Sequence, residues 1–304
     1  MQHNPPTRAT SAQGAAEKMS KLFIAEEIAA SIQSYKPHPT DIVISPFSKC
    51  GTTWMQQTLH TLRTGGDTDY DDISRVVPWI EMGRALDIDL NATQRAQPRA
   101  YKSHLRYDQI PQGAKYVVTL REPKDALVSL FKFIEGWFVE PGTMSIEEFT
   151  AARLQNNDPK AGYWGHLLSW WEQRDNPSVL LLSYAQMLAD PTLHIQQLAK
   201  FAGIELSDEL LALTLERSSL SYMLQHKAQF DDAMCRTKSE ERCNLPPGSE
   251  TAKVRRGGAG SYTEALSSEL AAQVDAIWQQ RITPHTGHAD YAELDAELWQ
   301  RNSP

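Results

Sequence analysis

Lys49-Cys50-Gly51-Thr52-Thr53-Trp54 follows an apolar run, Ile42-Val43-Ile44, and precedes Met55, Leu59 and Leu62, which recur at i, i+4, i+7. A strand that enters a Gly-Thr-Thr turn and leaves it as a helix builds a phosphate cradle. The first N–H groups of a helix have no intrahelical partner, and the helix dipole puts partial positive charge where an anion would sit. Gly51 permits close backbone approach, Thr52 and Thr53 add hydroxyl donors, and Lys49 adds a mobile cation. Arg63 and Gly65-Gly66 close the helix. The lysine precedes the glycine, so this is not the Gly-x-x-x-x-Gly-Lys-Ser/Thr loop of nucleotide kinases. An ordinary strand-to-helix turn, with Trp54 as a core anchor, is the plain alternative.

Further polar groups fall just beyond other strand-like runs. Lys102-Ser103-His104 ends a run at 100–103, Arg121 ends 116–120 with Ser129 two turns into the next helix, and Tyr184 ends 179–183. A lone arginine or tyrosine at such a place is more often a salt-bridge or capping residue, and most of the nine histidines are expected at surface or structural positions. His104 stands apart because it sits at a strand end next to Lys102, where a neutral imidazole could take a hydroxyl proton.

Taken in order, these segments resemble the cytosolic-type sulfotransferases, which use 3′-phosphoadenosine 5′-phosphosulfate (PAPS). Phe47-Ser48-Lys49-Cys50-Gly51-Thr52-Thr53-Trp54 is similar to their Tyr-Pro-Lys-Ser-Gly-Thr-Thr-Trp signature, and Tyr101-Lys102-Ser103-His104-Leu105 to their Lys-Thr-His-Leu segment. Arg121-Glu122-Pro123-Lys124-Asp125-Ala126-Leu127-Val128-Ser129 resembles their Arg-Asn-x-Lys-Asp-x-x-x-Ser. Leu182-Ser183-Tyr184 with Asp190-Pro191 resembles Tyr-Glu-Asp-Met-x-x-Asp-Pro, and Arg255-Arg256-Gly257-x-x-Gly260 resembles Arg-Lys-Gly-x-x-Gly. The resemblance covers roughly residues 40–282.

The resemblance implies that Lys49, Gly51, Thr52 and Thr53 hold the 5′-phosphosulfate, with Cys50 replacing a serine and keeping only its backbone N–H for the ligand. Trp54 would stack on adenine and Tyr184 would reach its edge. Arg121, Ser129, Arg255, Arg256 and Gly257 would bind the 3′-phosphate. In Ser218-Ser219-Leu220, where the family usually has Thr-Ser-Phe, Leu220 replaces an aromatic that sandwiches the base. His104 would act as general base, Lys49 and Lys102 would stabilise charge on the leaving phosphate and sulfuryl oxygens, and Ser129 counts with the catalytic residues; no metal is required. Two phosphate groups on one nucleotide ask for two cationic sites, and arginine forks suit the terminal one. Phe47, Trp79, Phe133, Trp137 and Phe138 are candidate walls for a small hydroxyl acceptor, apolar or phenolic. Ser48 stands where the family has proline, and beyond Gly260 its Asp-Trp-Lys-Asn-x-Phe-Thr becomes Ser-Tyr-Thr-Glu-Ala-Leu-Ser.

The elements that would position these residues alternate. Strands at 42–45, 100–103, 116–120 and 179–183 are short apolar runs of the kind buried in a parallel sheet. Helices are predicted at 124–134, 162–174, 193–202 and from about 263. The pattern predicts one α/β domain, residues 19–304, with a central, mostly parallel sheet flanked by helices and a P-loop-like cradle at its carboxyl edge. Residues 1–18 read as a mobile tail, and 229–260, charged and aperiodic, as a lid-like loop. Trp170 and Trp171 read as core.

A net charge of -8 argues against a nucleic-acid or anionic-membrane partner, so any anionic ligand needs a local cluster of cations. Three cysteines without metal-site spacing suit a reducing, cytoplasmic setting, although Cys235 and Cys243 could bridge a loop. The alternatives are a nucleotide-binding regulatory protein without turnover, an ATP phosphotransferase, or transfer to a glycolipid or carrier-bound hydroxyacyl acceptor. Oligomeric state has no sequence signal.

Overall fold

Ile42–Ile44 (β1), Ala100–Lys102 (β2), Lys115–Leu120 (β3) and Val179–Ser183 (β4) form one parallel sheet in the order β2-β1-β3-β4. The computed structural model describes residues 5–154, 158–251, 253–255 and 257–302. Ile42 is in register with Ala100 on one side and Lys115 on the other, and Tyr116 with Val179. The strands read as unbroken apolar runs because both faces are covered. Alternation divides them: Val43, Tyr101, Tyr116, Val118 and Leu181 pack with Trp170 and Trp171 on one face. Ile42, Ile44, Ala100, Val117 and Leu182 pack on the other against Met55, Leu59 and Leu62. Each such buried side chain contributes about 1.5–3 kcal/mol.

The helix Thr52–Thr64 runs between two glycines with left-handed backbone, Gly51 (φ 95) and Gly65 (φ 64). Pro123–Phe138 starts with proline in its first turn, where the missing N–H costs nothing, and the Glu122 side chain accepts the Lys124 N–H. Gly162–Trp171 and Pro191–Ala202 match their expected positions to within a few residues, the second ending on left-handed Gly203. The helix expected from about 263 begins later, as Ser268–Arg281 capped by Ser267, after a single turn Tyr262–Ala265.

Two expectations are corrected. The N-terminal segment, described from residue 5, is built into the fold: Ser11 caps the helix Ala12–Leu22, the Ala9 N–H donates to the Phe138 carbonyl at 2.8 Å, and Leu22 is fully buried. Nor is 229–260 irregular throughout, since Ala233–Cys243 is a helix packed against Ala12–Leu22. Its buried face is Cys235, Ser239 and Cys243, spaced i, i+4, i+8. Small side chains let the two helices approach closely, but they do not write an apolar stripe into the sequence. A bridge between Cys235 and Cys243 is excluded by the same helix, which separates them by roughly 12 Å of rise. All three cysteines are free. Among the described residues no helix is long and apolar enough to cross a membrane.

Candidate active site

The carboxyl ends of β1, β2 and β3 open into a cavity of about 760 Å³. Its polar end is the turn after β1. Lys49 has left-handed backbone (φ 68) and Gly51 follows at φ 95, so the chain doubles back and presents Thr52 and Thr53 at the helix start. A Cβ on Gly51 would stand 3.0 Å from the Tyr184 ring and 3.4 Å from Thr119 Oγ1. Gly51→Ala therefore meets both backbone strain and a clash, together about 1–3 kcal/mol. The variant should melt several degrees lower and lose at least about tenfold in nucleotide affinity, read by thermal denaturation and calorimetry.

Cys50 departs from its expected role. Its N–H donates to the Phe47 carbonyl at 3.1 Å, closing the turn, and its thiol is buried, its pKa pushed up to about 12 by loss of solvent. It shapes the cradle and offers a ligand neither group. Thr52 Oγ1, by contrast, lines the cavity and is buried with no hydrogen-bond partner among the described residues.

Arg121 ties the far side together. Its guanidinium lies over the Tyr184 ring at 4.3 Å, donates to the Lys49 carbonyl at 2.8 Å and to the Gly258 carbonyl at 3.2 Å, and keeps Nε buried with no hydrogen-bond partner among the described residues. Ser129, Arg255 and Gly257 line the same cavity, as do Ser218 and Leu220. Ser218 spends its hydroxyl on the Thr214 carbonyl, and Leu220 lies over Gly257, 3.0 Å from where a Cβ would be. Trp54 meets Tyr184 edge-on at 5.7 Å. Arg256 lies outside the described residues. Asp125, which reads as part of a solvated first turn, is instead buried and accepts from Gly260 N (2.7 Å), Tyr262 N (3.0 Å) and Ser261 Oγ (3.1 Å), anchoring the glycine-rich loop.

His104 sits at the end of β2 with its backbone N–H held by Glu81 Oε1 at 2.6 Å and its ring edge-on to Trp79. Its Nδ1 lies 2.8 Å from the Pro46 carbonyl, which can only accept. Nδ1 therefore carries the proton and Nε2 is the basic nitrogen. Burial first, then repulsion from Lys102, hold its pKa well below the usual histidine value, so the ring is neutral. Lys102 lies over Trp79 at 3.9 Å and Lys49 over Phe133 at 4.5 Å. Burial, with neighbouring charges, lowers Lys49 to about 7 and Lys102 to about 8. Phe47, Trp79, Phe133, Trp137 and Phe138 line the cavity's apolar part, joined by Met19 and Phe23 from the N-terminal segment.

Sequence reasoning missed four contributors: Glu81, Asp125, Asp232 and Lys253. Asp232 is buried, pairs with Lys253, and stands 3.8 Å from Lys102. Burial would raise its pKa, but Lys102 and Lys253 hold it down to about 2. The one visible signal is the pair Asp231-Asp232 in the charged stretch that reads as a lid-like loop.

A parallel α/β sheet carries a strand-to-helix turn of anion-cradle form and a neutral histidine at one edge, the arrangement of a site able to hold an anionic ligand beside a base. The family model for the sulfotransferase domain matches residues 39–285, and the chain belongs to that family of enzymes. It is 28% identical over 208 residues to sulfotransferase 1 family member D1 of Mus musculus, covering 65% of this chain and 70% of that protein. It is 26% identical to sulfotransferase 1E1 of Bos taurus, with 88% and 91% covered. Among solved structures, retinol dehydratase in complex with androsterone and the inactive cofactor PAP superposes with a TM-score of 0.69 at 18% identity, covering 86% of each chain. That likeness concerns the fold alone.

Proposed function

We propose that this enzyme transfers a sulfuryl group from PAPS to a hydroxyl of a small apolar or phenolic acceptor, with His104 as general base. The observation that carries the reading is a neutral His104, proton fixed on Nδ1, sharing one cavity with the Gly51–Thr53 cradle, Lys49, Lys102 and Arg121. The residues present fit such a nucleotide. Thr52 Oγ1 and Arg121 Nε are buried polar atoms with no hydrogen-bond partner among the described residues, a partner that a bound anion's acceptor atoms would supply.

When bound, PAPS supplies the sulfuryl group. Lys49, Thr52, Thr53 and the first N–H groups of their helix hold the 5′ end, while Arg121 with Ser129, Arg255 and Gly257 holds the 3′-phosphate; Arg256 is proposed there from the resemblance alone. Trp54, Tyr184 and Leu220 border the base. His104 Nε2 accepts the acceptor's proton, and Lys49 and Lys102 donate to oxygens on which charge develops. Apolar walls exclude water and suit a phenol or alcohol. Androsterone and retinol occupy related retinol dehydratase complexes, which supports an acceptor of that polarity. The three free cysteines suit a reducing compartment, which supports a cytoplasmic setting.

Labelled PAPS incubated with phenols, steroids, alkyl alcohols and amines tests the reading: a labelled organic sulfate is expected from a hydroxyl acceptor, and none from any class would overturn it. The pKa shifts predict a pH dependence. The depressed pKa of His104 keeps it basic below pH 6.5, so the acid limb of kcat/KM should fall well under that value. Lys49 and Lys102, at about 7 and about 8, lose protons as pH rises, whereas binding an anion requires them charged. Affinity for 3′-phosphoadenosine 5′-phosphate (PAP) should therefore fall from pH 7 upward, with proton uptake on binding near pH 8. Calorimetry in buffers of different ionisation enthalpy measures this.

A further inference from the structure

Asp232 stands where a helix cap belongs and does not cap. It precedes Ala233–Cys243 with left-handed backbone (φ 48), yet its side chain takes no N–H from that helix. Asp72 performs the task instead, its Oδ2 accepting the Met234 N–H at 3.0 Å. With the cap supplied from a distant segment, the Asp232 carboxylate is left to turn into the cavity. There it is 2% exposed, pairs with Lys253 Nζ through Oδ2, and stands 3.8 Å from Lys102 Nζ through Oδ1.

The Lys253 side chain is only 8% exposed and lines the same cavity as Lys49 and His104. Burying an ammonium group is costly unless something compensates it. Asp232 and Glu264 line the cavity against Lys49, Lys102, Arg121, Lys132, Arg153, Lys253 and Arg255, so basic groups outnumber acidic ones and an anion would offset the excess. Lys253 also precedes the Arg255-Arg256-Gly257 segment and belongs to none of the signatures that carry the family resemblance.

We propose that Lys253 is a further catalytic residue of sulfuryl transfer, donating to the phosphosulfate end of the donor beside Lys102, and that Asp232 is its positioning residue. This rests on the PAPS reading above. As the acceptor oxygen forms its bond to sulfur, His104 Nε2 takes the hydroxyl proton. The bond from sulfur to the 5′-phosphate oxygen breaks, its electron pair stays on that oxygen, and Lys253 and Lys102 donate to the charge that collects there. Asp232 holds the Lys253 ammonium in place and keeps it charged.

The test uses the full chain with Lys253→Met, Lys253→Arg, Asp232→Asn and the double variant Asp232→Asn/Lys253→Met. Three quantities are read: PAP affinity by calorimetry, kcat and KM with the best hydroxyl acceptor of the wild-type panel, and Tm. Lys253→Met should lower kcat by about 10²-fold and PAP affinity by about tenfold, with acceptor KM within about threefold of wild type. Lys253→Arg should recover most of both. Asp232→Asn should lower kcat, and the double variant should be no slower than Lys253→Met, because Asp232 acts through Lys253. If Lys253→Met does not fold, Lys253→Gln carries the same expectations. Wild-type kcat and PAP affinity in folded Lys253→Met or Lys253→Gln would overturn the role of Lys253, and multiplicative losses in the double variant would overturn that of Asp232. A wild-type protein that neither binds PAP nor transfers would instead defeat the donor reading beneath it.

Discussion

His104→Ala should lower sulfuryl transfer by about 10²–10⁴-fold while leaving PAP affinity within about threefold of wild type. In the proposed mechanism the two effects separate because His104 lies with the apolar walls assigned to the acceptor. Its ring touches Trp79 and Pro46, whereas the cradle is held by Lys49, Thr52 and the Thr52–Thr64 helix. With Nδ1 committed to the Pro46 carbonyl, Nε2 is left as the free nitrogen, the one the proposed mechanism uses as base. Single-turnover transfer and calorimetry on the same preparation read both quantities. Loss of PAP binding would reassign His104 to the nucleotide site, and an unchanged rate would remove it as the base.

Arg121→Met should weaken PAP binding by on the order of 10²-fold and sharply reduce the preference for PAP over adenosine 5′-monophosphate. A hydrogen bond to a charged group is worth about 1.5–3 kcal/mol, and 1.4 kcal/mol is tenfold in affinity. Arg121 also fastens two backbone segments, donating to Lys49 O and Gly258 O, so its removal loosens the cradle and the glycine-rich loop together. The discriminating readout is the comparison of the two nucleotides. Wild type should bind PAP far more tightly than adenosine 5′-monophosphate, whereas in the variant the ratio of the two affinities should fall by at least about tenfold. Equal weakening of both would mean that Arg121 supports the cradle without reading the 3′-phosphate.

The parts of this fold visible in the sequence are those written locally. β1 and β3 are continuous apolar runs because both sheet faces are covered, and Pro123, Gly65 and Gly203 mark helix ends through backbone preferences that need no tertiary context. The cradle is legible for the same reason, since its strand, glycine, hydroxyls and helix are consecutive. Asp232 and Lys253 are not, because their meaning lies in a contact with Lys102 across more than a hundred residues of chain. In isolation they read as charges in a polar stretch. Asp125 hides similarly: at a helix start it reads as part of a solvated first turn, and only the fold shows it gripping residues 260–262. The helix Ala12–Leu22 is obscured by its modest apolar content, because only Ala15 and Leu22 of its residues are buried, in a core whose large side chains, Phe131, Trp137, Phe138 and Phe149, come from distant segments.

Diffraction from crystals grown with PAP tests most directly whether the separated motifs surround one nucleotide. The 5′-phosphate is expected on the Gly51–Thr53 turn within hydrogen-bond distance of Lys49 Nζ and Thr52 Oγ1, and the 3′-phosphate on the Arg121 guanidinium, with His104 Nε2 facing the free space beyond the 5′ end. A nucleotide bound elsewhere, or a 3′-phosphate remote from Arg121, would contradict the account.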